Sequence, residues 1–279
     1  MRKSLFAVLL FLPEAGRASG HGPVFGLATP TNPKRGFSAD LGFMGRIGQS
    51  GSGAMMRAAL GYGITEDLKL AFSGPVILKA ESLAPSRVAP FTPMTGDYES
   101  TLTWRFQRTN TGVGSRIETA AIGGLLIPGS QEGGGPLRGL KNAPGFIAGL
   151  VTGYASRSHY AWGGGTYQRY AAPEGDRRPD ITFYSLVYAY RPQSWRTEYP
   201  RWDWRLIAEL TGERSGAIRR TGLAVTGSEA HQLFLGPSTL GVYKAYAVGA
   251  GIQFPVYRSV SGVFPRERYR FSINLAYFF

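Results

Sequence analysis

The sequence predicts an all-β fold, a transmembrane antiparallel β-barrel of about 12 strands with both termini periplasmic. Three observations lead there. The last segment reads Y-R-F-S-I-N-L-A-Y-F-F, with Tyr269, Phe271, Ile273, Leu275, Tyr277 and Phe279 on one face and Arg270, Ser272, Asn274, Ala276 and Phe278 on the other. A strand repeats every two residues, so this is a strand with one apolar and one largely polar face. Apolar residues make up 43% of the chain and recur at every second position, yet no run approaches the ~18 residues of a membrane-spanning helix. Finally, the connections between strand-like segments alternate between long and short, as expected when one set faces outward and the other faces the periplasm.

Each segment can be justified in order. Residues 1–20 read as a secretory signal. Arg2 and Lys3 form a basic start, Leu5 to Leu12 a short apolar stretch, and Ala18-Ser19-Gly20 a small-residue cleavage site before His21. Residues 21–36, HGPVFGLATPTNPKRG, are rich in Pro and Gly and lack periodicity. They form a periplasmic N-terminal segment that lies across the mouth, folds into the lumen, or leads in without fixed structure. The barrel occupies residues 37–279. Strands are expected over 37–48, 53–63, 67–78, 97–108, 114–127, 145–156, 159–170, 181–191, 202–213, 231–242, 246–257 and 267–279, each near the length that crosses a bilayer obliquely. The outward connections are then 49–52, 79–96, 128–144, 171–180, 214–230 and 258–266. All of these are long except the first, whereas the periplasmic turns are short except 192–201. The apolar residues Leu83, Val88, Phe91 and Met94 in 79–96 suit a loop folded inward over the pore.

Alternation sorts the faces. In the first strand Phe37, Ala39, Leu41 and Phe43 point out, and Ser38, Asp40 and Arg46 point in. In the fourth, Tyr98, Leu102, Trp104 and Phe106 oppose Glu99, Thr101, Thr103 and Arg105. In the ninth, Trp202, Trp204, Leu206, Ala208 and Leu210 oppose Asp203, Arg205, Glu209, Thr211 and Glu213. The seventh and eighth strands leave their faces open. Aromatics near strand ends suit the headgroup boundary.

A charge on the lipid face near the midplane costs about 2–4 kcal/mol for Arg or Lys, which places charged strand residues inside. The expected lumen lining is Asp40, Arg46, Arg57, Lys69, Glu99, Arg105, Arg116, Glu118, Asp203, Arg205, Glu209, Glu213 and Arg270. Strand direction puts Arg46, Arg57, Glu99, Glu213 and Arg270 toward the outer mouth. It puts Asp40, Lys69, Arg105, Arg116, Glu118, Asp203 and Arg205 toward the periplasm. Such a set is either a selectivity lining or a filling of structural ion pairs.

The net charge is +13 and there is no cysteine, so disulfides and cysteine metal sites are excluded. An exported basic protein meets anionic lipid rather than nucleic acid. The loop arginines Arg87, Arg138, Arg177, Arg178, Arg219, Arg220, Arg258 and Arg266 either meet lipopolysaccharide phosphates or are simply solvated. Other expected partners are the barrel assembly machinery and a small-molecule solute, with the protein a monomer. No cofactor or metal is called for. His21, His159 and His231 are the only histidines, and neither His159 nor His231 has a Ser two residues away on its strand face. A catalytic constellation is therefore not legible. His21 as a new N-terminus could chelate copper, but no third ligand is evident.

The terminal strand resembles the assembly signal of bacterial outer-membrane barrels, carried here by Phe271, Ile273, Leu275, Tyr277 and Phe279. The segments HGPVFGLATPTNP (21–33), FSADLGFMGR (37–46), GYGITEDLKLAFSGPV (61–76), WDWRLIAELTGERSG (202–216) and LGPSTLGVYKAYAVGAGIQFPVY (235–257) resemble the outer-membrane transporters grouped with the meta-pathway of phenol degradation. That resemblance implies a barrel and solute passage, and it carries no catalytic residues. The sequence thus points to a porin-like channel for a small solute, aromatic or anionic. The alternative is a closed barrel with a structural or surface-binding role, and an outer-membrane hydrolase is the weakest reading.

Overall fold

The computed structural model describes residues 22–49, 52–79, 97–129, 140, 143–195, 201–260, 264 and 266–279. The leader, His21 and the connection 80–96 lie outside the described residues. The strands are β1 (Phe37–Gly48), β2 (Ser52–Gly63), β3 (Leu68–Lys79), β4 (Tyr98–Gly112), β5 (Ser115–Ile127), β6 (Gly145–Ala155), β7 (His159–Tyr170), β8 (Ile181–Tyr190), β9 (Asp203–Ser215), β10 (Arg219–Arg220), β11 (Leu223–Ala224), β12 (Ala230–Tyr243), β13 (Tyr246–Val260) and β14 (Glu267–Phe278). Twelve of them close into one antiparallel barrel, and β10–β11 form a small hairpin in the connection between β9 and β12. Every neighbour in the barrel is the next barrel strand in sequence, and β1 closes on β14.

Side-chain alternation explains why these segments form a barrel. In β8 the pattern is strict: Ile181, Phe183, Ser185, Val187 and Ala189 are buried, while Thr182, Tyr184, Leu186, Tyr188 and Tyr190 are exposed. The faces of β7 and β8 are thereby assigned, with the tyrosines of β8 and His159 pointing to the lipid side. Exposed large apolar residues such as Leu60, Leu150, Leu186 and Val256 belong to the outer wall, where lipid rather than water is the solvent.

The seam is a full ladder. Ser38 through Ile47 pair with Phe278 through Tyr269, and Phe37 and Phe279 exchange backbone bonds of 2.7 and 3.0 Å. A ring of aromatics covers this end: Phe37 lies 4.7 Å from Tyr62 and 5.5 Å from Phe279, and Tyr246 lies 4.8 Å from Tyr277. Two bulges have a covalent cause. The register slips where Pro75 faces Arg57 and where Pro255 faces Phe234, because proline offers no N–H to the ladder.

Residues 22–33 do not extend away from the barrel. They run inside it, with Val24 and Phe25 almost wholly buried among Met44 and Met55. Leu27 packs with Ala120, Val151 and Phe183 on the β5–β8 wall. This strap leaves at the end where β1 begins. There Arg35 N–H donates to Gly63 O at 2.6 Å, and Thr31 Oγ1 donates to Glu66 O at 2.6 Å. A side chain at Gly63 would land on the carbonyl of Pro33, so the exit requires glycine.

Candidate functional site

The centre of the site is Glu209, at mid-length in β9 and fully buried. Its Oε1 accepts the backbone N–H of Val24 at 2.9 Å. Its Oε2 accepts those of Phe25 at 2.9 Å and Gly26 at 2.7 Å. The Ser238 hydroxyl of β12 donates to Oε1 as well. Successive amides pointing at one acceptor form an anion-binding nest, and here the anion is a side chain of the barrel wall. Gly26 is needed for this approach, because a Cβ there would run into Val187. Leu27 N–H continues the attachment to Ser185 Oγ at 2.9 Å, and Thr29 Oγ1 reaches Glu118 Oε2 at 3.0 Å across the lumen. The strap therefore bridges the β8–β9 wall and β5.

Above this level, toward the long connections, the inner charges form a buried chain. Arg46 donates to Glu267 through Nη2 at 2.8 Å. Arg270 donates to Glu267 through Nε at 2.9 Å, and it also pairs with Glu213. The guanidinium of Arg270 sits 3.5 Å from the centre of the Phe234 ring. Beside this chain, Arg57 donates to Ser73 and to the carbonyl of Asp97, with Glu99 at 3.7 Å. Below the strap, Arg105 and Arg116 converge on Glu118 at 3.1 and 2.8 Å, and Arg105 also meets Asp67. Arg205 lies over the Tyr160 ring and 3.6 Å from Asp203, which Arg191 pairs at 2.6 Å. Asp40 and Lys69 face a shared cavity.

Of the charged residues expected in the lumen, Arg46, Arg57, Glu99, Arg105, Glu118, Glu209, Glu213 and Arg270 are buried, and Asp40, Lys69, Arg116, Asp203 and Arg205 are half-buried. Glu267 joins them although alternation alone puts it on the outer face with Tyr269. The register slips between Ile47 and Gly48, and that bulge turns Glu267 inward. With it, the inner set holds seven basic and seven acidic side chains. One expectation is corrected: Arg178, read as a surface-loop arginine, is buried. Its Nη1 donates to both oxygens of Asp97 at 3.0 Å, and Tyr170 OH donates to the same carboxylate at 2.8 Å. Its loop, between β7 and β8, is thereby pulled onto the outer mouth. Leu140, Ile218, Ala230 and Phe264 form an apolar cluster over the same end.

A cavity of about 290 Å³ remains beside the strap. It runs from Glu99, Ile147 and Thr166 in the upper part to Asp40, Ala247 and Ala276 near the lower mouth. Small side chains and threonines line it, and the buried Thr166 hydroxyl has no hydrogen-bond partner. The two described histidines lie elsewhere. His159 bonds Tyr188 OH at 2.7 Å and His231 bonds Tyr184 OH at 2.8 Å, both on the outer face. Among the described residues no group of His, Asp or Glu side chains could hold a metal ion.

No protein-family model and no curated protein matches this sequence. Among solved structures, the chain is similar to the COG4313 outer membrane channel from Pseudomonas putida F1. The two are 12% identical, the match covers 90% of this chain and 98% of that one, and the TM-score is 0.64. It is also similar to the NanC porin, at 8% identity, 86% and 98% coverage and a TM-score of 0.50. At these identities the likeness establishes the fold, a closed 12-stranded barrel of the outer-membrane kind.

Two outcomes follow from this geometry. Glu267→Gln leaves the guanidiniums of Arg46 and Arg270 buried with a weakened acceptor, and the folded barrel is expected to lose about 3–5 kcal/mol. The loss is read as a lower temperature for the heat-induced gel shift, and an unchanged temperature would contradict the pairing. Glu209→Ala removes the shared acceptor of the Val24, Phe25 and Gly26 amides, each worth about 1–3 kcal/mol when left unsatisfied. Hydrogen exchange at these three amides should be slow in the native protein and accelerate sharply in the variant. Equal exchange would contradict the anchor.

Proposed function

We propose that the protein is an outer-membrane channel for a small solute, exported by its leader and inserted by the barrel assembly machinery through its terminal strand. In this reading residues 22–33 are an internal strap that narrows the lumen, and Glu209 is its anchor. The observation that carries the proposal is the lumen itself. A barrel closed only for structure would fill its interior with wall side chains. Here a single extended segment occupies it and leaves an elongated cavity at its side. The likeness to two solved channel barrels supports the same reading.

The balance of seven basic and seven acidic inner groups, most of them paired, favours a neutral solute over an anionic one. A permeating ion would meet charges already neutralised by their neighbours. The resemblance of several segments to transporters grouped with the phenol meta-pathway supports an aromatic solute. Passage of a solute needs no covalent step.

The second reading is a closed barrel. It draws on the outer end, where Arg178 and the Leu140–Ile218–Phe264 cluster draw the connections together. Planar-bilayer recordings separate the two. The refolded native barrel is expected to give small steps, and both Glu209→Ala and deletion of residues 22–33 should enlarge them several-fold. Silence from all three, with each verifiably folded, would favour the closed barrel.

A further inference from the structure

Two inner charges stand outside the paired groups of the lumen. Asp40 of β1 and Lys69 of β3 are half-buried and line the cavity beside the strap, and neither makes an ion pair among the described residues. The other inner charges are joined to one another, apart from Glu209, which the strap satisfies. The two belong to one place. Lys69 faces Gly63 of β2 in the ladder, and its stem leans over Gly61: a Cβ there would lie 2.7 Å from Lys69 Cε and 2.6 Å from Ser38 Oγ. Gly61 faces Ser38, and Asp40 is the next residue on that side of β1. Glycine at 61 therefore lets the ammonium reach across β2 toward Asp40, where the two charges attract each other without closing into a pair.

The surroundings complete a binding site. Thr103 of β4 is the ladder partner of Lys69, and Asn274 stands two residues before Ala276, the partner of Asp40 on β14, so the two extend a polar arc along the inner wall. Leu27, Ala28 and Pro30 of the strap, with Ile122 of β5 and Ile147 of β6, supply an apolar side. Thr166, 4% exposed and with its hydroxyl unpartnered, lines the same cavity. The volume of about 290 Å³ lies at the small end of the ~300–1,000 Å³ range of ligand pockets, which suits a solute of amino-acid size. A wholly apolar solute would strip water from both charges and return no partner to either. An anion would be repelled by Asp40 and a cation by Lys69. We propose that this cavity binds a small zwitterion with an apolar side chain, an amino acid, its ammonium on Asp40 and its carboxylate on Lys69. As the transported solute it rests on the channel reading, and it narrows the neutral solute of that reading to one that carries both charges.

The test uses the refolded mature barrel in detergent micelles with three probes, binding being read by equilibrium dialysis. They are L-phenylalanine, phenethylamine, which lacks the carboxylate, and hydrocinnamate, which lacks the amine. The zwitterion should bind roughly tenfold more tightly than either analogue, the loss expected for one charge-assisted contact. Asp40→Asn should turn the preference toward hydrocinnamate and Lys69→Met toward phenethylamine, a switch that a merely structural pair of charges would not give. Equal binding of the three compounds by the native barrel, or variants that keep the native preference, would overturn the site. Should either variant fail to fold, the native comparison decides alone. Planar-bilayer conductance is recorded in parallel. Open steps from a barrel that binds no phenylalanine overturn the site and leave the channel. Phenylalanine bound to a barrel that stays silent overturns the channel and leaves the site.

Discussion

A carboxylate buried at mid-height inside a membrane barrel has to be supplied with donors, and this protein supplies Glu209 from its own N-terminal backbone. Three consecutive amides and one hydroxyl converge on it, with no cation among these partners. The arrangement binds both parties. The strap has no regular secondary structure of its own, so its amides need acceptors as much as Glu209 needs donors. Much else in the lumen follows from that contact. The course of residues 22–33, the packing of Phe25 against the β1 and β2 methionines and the cavity left on the other side all depend on where the strap is held.

Around this centre the charges fall into local groups. The Arg46–Glu267–Arg270–Glu213 chain braces the wall across β1, β14 and β9 above the strap. The Glu118 group braces the β2–β3 turn, β4 and β5 below it. Glu118 serves two purposes, because it also receives the Thr29 hydroxyl of the strap. Each group is nearly neutral in itself, which explains how a chain with a net charge of +13 has a lumen without one dominant sign. The surplus of positive charge sits in the connections and on the rims instead.

Much of the barrel was legible in the sequence because period-two alternation and the apolar requirement of the lipid face act on every strand at once. The expectation that Glu209 faces inward came from that parity, while Arg57, Lys69, Arg116 and Glu118 were expected inside because a charge on the lipid face is costly. Glu267 was missed because a single bulge at Arg268, opposite Ile47 and Gly48, reverses the parity locally, and nothing in the residues of β14 announces it. Arg178 was read as a loop residue since its partner, Asp97, lies 81 residues away in sequence. The strap was left open between three placements for a similar reason. A Pro- and Gly-rich segment has no periodicity of its own, and its position is dictated by long-range partners in β8 and β9. Gly26 is a signal in hindsight, but without the wall beside it a glycine between Phe25 and Leu27 says little.

The account depends on the strap residing inside the barrel against β8 and β9. A Cβ built at Gly26 lies 3.4 Å from that of Ser185, close to the separation that a disulfide spans. The chain has no cysteine, so a designed pair reports without background. The decisive measurement is disulfide formation in the refolded barrel carrying Gly26→Cys and Ser185→Cys, with Val187→Ala to make room. The account predicts rapid, near-complete cross-linking that Glu209→Ala slows markedly. Two free thiols that persist under oxidation in a folded barrel would contradict it.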